Sequence, residues 1–317
     1  KYPKKEIIFV DDGSSDKTLS IAMQYKEKIK VLHKENGGKA SALNYGLIYA
    51  TGEIVVIVDA DTIIGRHSLK EIVKGFEVNE HVAAVAGNIK VRNRVNWITK
   101  CQALEYITGI QIVRRAFDVF GSITIVPGAL GAFKKSCLTE SGSYGKETIV
   151  EDFDQTIKLL KAGLITQGSS KATAYTEAPN TLHDFVAQRK RWYRGNIQVL
   201  KRHSDALTNP RFGYLQRLSL PYLFLGMVIT PIIGFTATAN AILGIILGDG
   251  WYVLQVSAIF TVVHYLMSAL AIRIDDEDPK LLWHAGFLVF GFKQIVDFLL
   301  LKAIIEQLRK KKATWTS

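Results

Sequence analysis

A few short stretches of this sequence hold side chains suited to a single kind of chemistry. Asp59 and Asp61 stand one residue apart at the end of the β-branched run Ile54-Val55-Val56-Ile57-Val58. Carboxylates so spaced can bring hard oxygens to Mg²⁺ or Mn²⁺ and leave coordination positions for a diphosphate. Lys39 follows Gly37-Gly38 at the start of an expected helix, where its charge and the free backbone N–H groups can meet a phosphate together. Asp152, after Glu151 at the head of another expected helix, is a candidate general base. Gln188-Arg189-Lys190-Arg191-Trp192 offers a guanidinium fork that matches phosphate and an indole face on which a sugar ring can stack. Asp11 and Asp12 can accept hydrogen bonds from a nucleoside base and ribose. Such a set would neutralise a departing diphosphate, deprotonate an acceptor hydroxyl and hold that hydroxyl in line for attack.

Each residue also has a plainer reading, and for each taken alone both readings stay open. Asp59 and Asp61 can form a turn or a cap, and Asp11 and Asp12 can cap the helix that follows them. Acidic residues favour helix N-termini through the macrodipole alone, which is sufficient reason for Glu151 and Asp152. Lys39 can be a solvated surface lysine, and the basic stretch at 188–192 can be an interfacial membrane helix.

The elements that must position these residues alternate. Residues 6–10 predict a strand ending at Asp11-Asp12-Gly13-Ser14-Ser15-Asp16, and a helix follows to about Tyr25. Strands are expected at 29–33 and 82–91, helices at 39–50, 68–80 and 97–120, and a small-residue loop at Pro127-Gly128-Ala129-Leu130-Gly131. Glu151-Asp152 opens a helix through about Lys161, and His183 to His203 is a basic amphipathic helical stretch. The alternation predicts a doubly wound parallel sheet with 54–58 as a central strand, and ligands bind beyond the carboxyl ends of such strands.

The hydrophobic fraction of 48% exceeds what a soluble α/β enzyme needs, and the excess is local. No charged residue occurs from Leu218 to Gly248 or from Trp251 to Ile272, each long enough to cross a bilayer. Pro221 and Pro231 are compatible with kinked spans. The segment 281–304 carries Lys293, Asp297 and glycines at 286 and 291, so it can span, re-enter or lie at the interface. Two spans return the chain to its starting side at Asp275-Asp276-Glu277-Asp278, and a third simple crossing would leave the basic tail outside.

The formal net charge of +11 suits an anionic membrane surface better than nucleic acid, because Lys201, Arg202, Arg211 and Arg217 precede the first apolar run and Arg309, Lys310, Lys311 and Lys312 follow the last. Cys101 and Cys137 supply neither a disulfide framework nor metal-ligand spacing. The chain opens at Lys1-Tyr2-Pro3 without an initiator methionine, signal peptide or apolar anchor, and so reads as a trimmed piece.

In order along the chain come Asp-Asp-Gly-Ser, Gly-Gly-Lys-x-x-Ala-Leu-Asn at 37–44, Asp-x-Asp at 59–61, Gly-Ala-x-Gly-Ala-Phe at 128–133, Glu-Asp at 151–152 and Gln-x-x-Arg-Trp at 188–192. This ordered set resembles the processive family 2 glycosyltransferases, which include hyaluronan, chitin, cellulose and poly-β-1,6-N-acetylglucosamine synthases. The apolar C-terminal segments and the tail Ala313-Thr314-Trp315 look most similar to the last branch. The resemblance implies a GT-A type α/β catalytic domain over 1–205 on the cytosolic face and interfacial and transmembrane helices over 206–317, in a multi-pass protein of the cell membrane.

It also implies roles. Asp11 would lie near the uracil, Lys39 near the diphosphate, Asp59 at nucleotide and metal, and Asp61 at the metal. Asp152 would deprotonate the acceptor hydroxyl. Arg191 would contact the diphosphate, while Glu151, Gln188 and Trp192 would line the acceptor site, with Trp192 under the terminal sugar. The expected cofactor is Mg²⁺ or Mn²⁺. Expected partners are a UDP-sugar donor, N-acetylglucosamine first among them, a polysaccharide or lipid-linked acceptor, the bilayer and a small membrane accessory subunit. The family's first strand, the nucleotide-contacting loop after it and its N-terminal membrane helices would precede residue 1. Two other readings remain: a non-processive enzyme that moves one sugar to polyprenyl phosphate or ceramide, and a non-catalytic scaffold or sugar-nucleotide sensor on the same fold.

Overall fold

The computed structural model describes residues 2 and 4–309. The opening Lys1 and Pro3, the basic Lys310, Lys311 and Lys312 and the tail Ala313-Thr314-Trp315 lie outside the described residues. The chain divides into two compact units, Lys1–Asn88 with Phe120–Ala174, and Ile89–Val119 with Tyr175–Ser317.

In the first unit, β1 (Ile8–Asp11) and β2 (Lys30–His33) pair in parallel, with Ile8 opposite Lys30 and Asp11 opposite His33. The helix Thr18–Met23 makes the crossover. A second sheet contains β3 (Ile54–Ile57), β4 (Ile63–Ile64), β5 (Val82–Val91), β6 (Gly131–Lys134) and β7 (Ile165–Thr176) in the order β3-β6-β5-β7-β4. β6 runs antiparallel to both neighbours, with Ile57 opposite Gly131 and Ala84 opposite Phe133.

This corrects the wholly parallel sheet expected from the alternation of elements. It also moves the run at 54–57 from the centre to one end of its sheet. An apolar run reports burial and is silent on strand direction. The fully covered strand is β5, whose Val82, Ala83, Ala84 and Val85 are each 0% exposed, whereas every residue of β3 is half-buried. The helix Glu151–Lys161 packs Phe153, Ile157 and Leu159 into this unit's core. Its first turn holds Glu151, Asp152 and Asp154 and its last turn Lys158 and Lys161, a charge order that complements the macrodipole.

In the second unit, the helix expected over 97–120 is three pieces: α-helix Trp97–Glu105, a π-helical turn Tyr106–Gln111 and α-helix Ile112–Asp118. Asn96 and Thr99 exchange bonds in a capping box at its start. The basic helix runs from Leu182 to Arg202, capped by Thr181, whose side chain accepts from the Asp184 N–H.

Leu215–Leu247 is one apolar helical stretch of 33 residues, and Gly250–Ile274 is another of 25. At 1.5 Å per residue the shorter covers about 37 Å, more than the roughly 30 Å of a hydrocarbon core. Only 17% and 6% of their most apolar windows are buried, so their Ile, Leu, Val and Phe side chains face outward. Pro221 and Pro231 each follow a π-helical turn, Leu215–Ser219 and Leu225–Ile229, which takes up the hydrogen bond and the space that proline denies the preceding backbone. The third apolar segment breaks at Phe290 and Gly291, which leave helical geometry, and resumes as the helix Lys293–Leu308.

After the second long helix comes an acidic turn. Glu277 takes two bonds from Arg94, at 2.7 and 2.9 Å, and lies 3.3 Å from Lys90. Asp275, 4% exposed, accepts from Arg115 at 2.5 Å. The end of the hairpin is thereby tied to the segment 89–119 of its own unit.

Candidate active site

In the first unit, Asp11 ends β1, and Gly13 turns the chain at a φ of 75°. A Cβ on Gly13 would come within 2.7 Å of the Asn36 backbone nitrogen, so this turn and the loop at 36–38 need a glycine to lie this close. Asp12 makes the tie between them: its carboxylate accepts from the N–H groups of Gly37 and Gly38 and pairs with Lys34 at 2.6 Å. Asp12 thus braces the head of the helix Lys39–Tyr49 instead of capping the helix after it. Asp11 is 1% exposed, with Oδ2 2.7 Å from His33 Nδ1. Its Oδ1 is buried with no hydrogen-bond partner. The bonds to Ser14, opposed by burial and aided by His33, hold the carboxyl below the usual carboxylate range.

Lys39, first residue of its helix, is the hub. Its ammonium lies 2.6 Å from Asp59 Oδ1 and 3.2 Å from Glu151 Oε1. Burial alone would depress this ammonium, but Glu151, Asp59 and Asp152 together outweigh it and hold the group charged above its ordinary range. Gly128 makes room, for a Cβ there would stand 2.6 Å from Lys39 Nζ and 3.2 Å from Asp59 Oδ1. The same helix carries Asn44, whose side-chain amide donates to the Tyr144 carbonyl at 2.8 Å and accepts from the Tyr144 N–H at 3.0 Å. Tyr144 is buried, and burial, then the charges of Asp152 and Glu151, push its phenol well up. Asn44 and Gly128 stand in the ordered motifs without an expected contact, and Tyr144 is a feature that residue types alone did not single out.

Glu151, expected at the acceptor, gives an oxygen to Lys39 and is 7% exposed. Burial, then repulsion from Asp152, raise its carboxyl, while Lys39 works against the rise. Asp152 is half-buried, and its Oδ1 accepts from the Phe153 N–H at 2.8 Å, the modest helix-start role that its position also predicted.

Asp59 is half-exposed and Asp61 exposed, on a turn closed by the Thr62 N–H bonding to the Asp59 carbonyl at 3.0 Å. Asp61 Oδ1 accepts from the Thr62 hydroxyl at 3.1 Å. Among the described residues no group of three or more His, Cys, Asp and Glu side chains forms a protein cage for a metal. Two accessible carboxylates, one already drawing a cation in Lys39, fit Mg²⁺ or Mn²⁺, which are held by one or two carboxylates together with substrate phosphates.

In the second unit, Gln188, Arg191 and Trp192 share the helix Leu182–Arg202 and are half-buried. Gln188 Oε1 is buried without a partner. The residue of this motif that sequence reading passed over is Arg189, which is 3% exposed and donates to Glu105 at 2.5 Å. Its guanidinium carbon lies 4.7 Å from the centroid of the Trp192 ring. A contact across 84 positions leaves no local trace in the sequence.

Comparison with known proteins bears on the family and the fold. A family model described as glycosyl transferase family group 2 matches residues 54–254. The chain is 35% identical over 205 residues to poly-beta-1,6-N-acetyl-D-glucosamine synthases of Staphylococcus aureus (strain COL) and Staphylococcus epidermidis. For the Staphylococcus aureus protein the alignment takes in 64% of this chain and 50% of that one, so the chain spans about half the length of the curated relatives it matches. Among solved structures, a mannosyltransferase from Pyrobaculum calidifontis in complex with GDP-Man and Mn²⁺ superposes with a TM-score of 0.66 at 22% identity. The superposition covers 97% of this chain and 79% of that one, and it bears on the fold, a GT-A type α/β domain. By the match across 54–254, more than half of its length, the chain belongs to glycosyl transferase family group 2.

Proposed function

We propose that the protein transfers N-acetylglucosamine from a UDP-sugar to the end of a growing β-linked polysaccharide at a membrane, with inversion at the anomeric carbon. The observation that carries this reading is the Lys39 bridge between Asp59 and Glu151, with Asp152 in electrostatic reach and Gly128 leaving the space. Three carboxylates against one ammonium leave the cluster short of positive charge, a deficit that suits a cation and a proton acceptor.

In this reading Asp152 takes the proton of the acceptor hydroxyl as that oxygen attacks the sugar carbon from the side opposite the diphosphate. Attack from that side turns an α-linked donor into a β-linked product. Asp11 offers its unpartnered Oδ1 to the uracil. Lys39 and Arg191 take up charge on the diphosphate, Gln188 and Trp192 hold the acceptor, and Glu151 keeps Lys39 in place. Asp59 and Asp61 would hold Mg²⁺ or Mn²⁺, which when bound neutralises the leaving diphosphate. The synthases that the chain resembles support the polymer and the sugar, and the Mn²⁺ in the mannosyltransferase complex supports the metal.

We assign catalysis to residues 1–205 on the cytosolic face and membrane contact to 206–317. Two outward-facing apolar helices support the membrane, and the ion pairs of Asp275 and Glu277 with Arg115, Arg94 and Lys90 support a return to the same side after two crossings. The test supplies the protein in membranes with a panel of radiolabelled UDP-sugars and digests the product with linkage-specific glycosidases. High-molecular-weight polymer from UDP-N-acetylglucosamine, absent in EDTA, is the expected result. An organic-extractable glycolipid would replace the polymer reading with a lipid acceptor, and full activity in chelator would remove the metal role from Asp59 and Asp61.

A further inference from the structure

Within the second unit, the helix Trp97–Glu105 gives way to a π-helical turn at Tyr106. Both residues of this junction meet the helix Leu182–Arg202: Glu105 accepts from Arg189 at 2.5 Å, and the Tyr106 ring lies 6.5 Å from that of Trp192 at a tilt of 39°. Inserted π turns recur where an element must present neighbouring side chains for a function. Arg189 and Trp192 are three residues apart, so they rise from one face of their helix. The guanidinium carbon is 4.7 Å from the Trp192 centroid and 5.1 Å from that of Phe185, within the range of a cation–π contact. Arg189 is almost wholly buried, so it is not itself available to solvent or to a diphosphate, while Trp192 keeps part of its surface open.

We propose that Arg189, anchored by Glu105, is a positioning residue that covers one face of the Trp192 indole and fixes the ring, leaving a single face for the acceptor sugar. The inference rests on the reading of Trp192 as the acceptor platform. A planar, always charged guanidinium can lie over an indole and hold a carboxylate at once, which a lysine ammonium cannot do in the same way. The device therefore depends on arginine and not on positive charge alone.

The test uses the protein in membranes with UDP-N-acetylglucosamine and a short β-linked N-acetylglucosamine oligosaccharide as added acceptor. Glu105→Gln and Arg189→Met are introduced together, so that neither change leaves a buried, unpaired charge. The pair is expected to raise the acceptor KM about tenfold, with the donor KM unchanged within about twofold. In a Trp192→Ala background the pair should add nothing, since its effect passes through the indole. Arg189→Lys should restore little. An equal loss with and without Trp192, or a donor KM that rises with the acceptor KM, overturns the proposal.

Trp192 emission, isolated as the difference between the protein and its Trp192→Phe variant, supplies a readout independent of turnover. It should shift in the Glu105→Gln, Arg189→Met protein, and an unchanged spectrum also overturns the proposal. Should Trp192→Ala leave the acceptor KM untouched while the emission shifts, the acceptor reading of Trp192 fails and the ring-fixing contact stands.

Discussion

Two cations near carboxylates, Lys39 in the first unit and Arg189 in the second, differ in charge balance and in exposure. In the first, the Lys39 ammonium contacts Asp59 and Glu151 with Asp152 close by, so negative charge is in excess. The Lys39 and Asp59 side chains stay 31% and 35% exposed. In the second, Arg189 meets a single carboxylate, and its side chain is 4% exposed. An open, unbalanced cluster can exchange partners when a diphosphate, a metal or a hydroxyl arrives. A closed, neutral pair cannot do so cheaply, because separating it strands a charge in a poor solvent. This contrast accords with the roles proposed above, chemistry at the first cluster and positioning at the second.

The strongest way to break this comparison is Asp152→Asn. Transfer should fall about 10²- to 10⁴-fold, the usual worth of a general base, while UDP binding by calorimetry stays intact. Wild-type turnover in that variant would leave the open cluster without its proposed role. Next in size is Gly128→Ala. The new methyl group would meet the tip of a flexible lysine and not the backbone, so the fold should survive while Lys39 moves off Asp59. A fall in kcat/KM of about ten- to a hundredfold, or about 1.4 to 2.8 kcal/mol, with an unchanged melting temperature is expected. A loss of stability with turnover preserved would show the gap at 128 to be packing alone.

The smallest effect on turnover concerns a closed cluster of ion pairs, Glu277 with Arg94 and Lys90, where the change falls on stability. Burial pushes the Glu277 carboxyl up, but the bonds and charge of Arg94, with Lys90, overcome this and hold it below its ordinary value. A value lower in the folded than in the unfolded state means that the stabilisation is complete above the ordinary glutamate range, about 4.3. It is lost as the pH falls through the depressed folded value. Glu277→Gln should cost about 1–3 kcal/mol at neutral pH and flatten the acid limb of thermal stability measured in detergent. An acid limb identical in both proteins would remove Glu277 from the account.

Much of this was legible in the sequence wherever a local rule applied. The strand Val82–Val91 and the helix Glu151–Lys161 fall where apolar runs and helix-start carboxylates put them. Lys39 and Asp59 were singled out by type and spacing and Glu151 by the family motif, and the structure gathers them. What was hidden was non-local. β7 has the sequence ITQGSSKATAYT, too polar and too rich in small residues to announce a 12-residue strand. β6 starts inside a stretch of small residues that read as loop. Its antiparallel direction is set by how the chain returns from the excursion at 89–119, which no window of residues records. The Arg189–Glu105 pair and the brace from Asn44 to Tyr144 join segments far apart in the chain, so only the folded protein reveals them.

The central claim is that the open cluster and the indole serve one transfer. The direct measurement is a structure of the membrane-embedded protein with a UDP-sugar, Mn²⁺ and an oligosaccharide acceptor. It should find the acceptor hydroxyl within about 2.6–3.2 Å of the Asp152 carboxylate while the same sugar stacks on Trp192. An acceptor bound with its hydroxyl away from Asp152, or Trp192 opening on a different surface from the donor, would contradict the account.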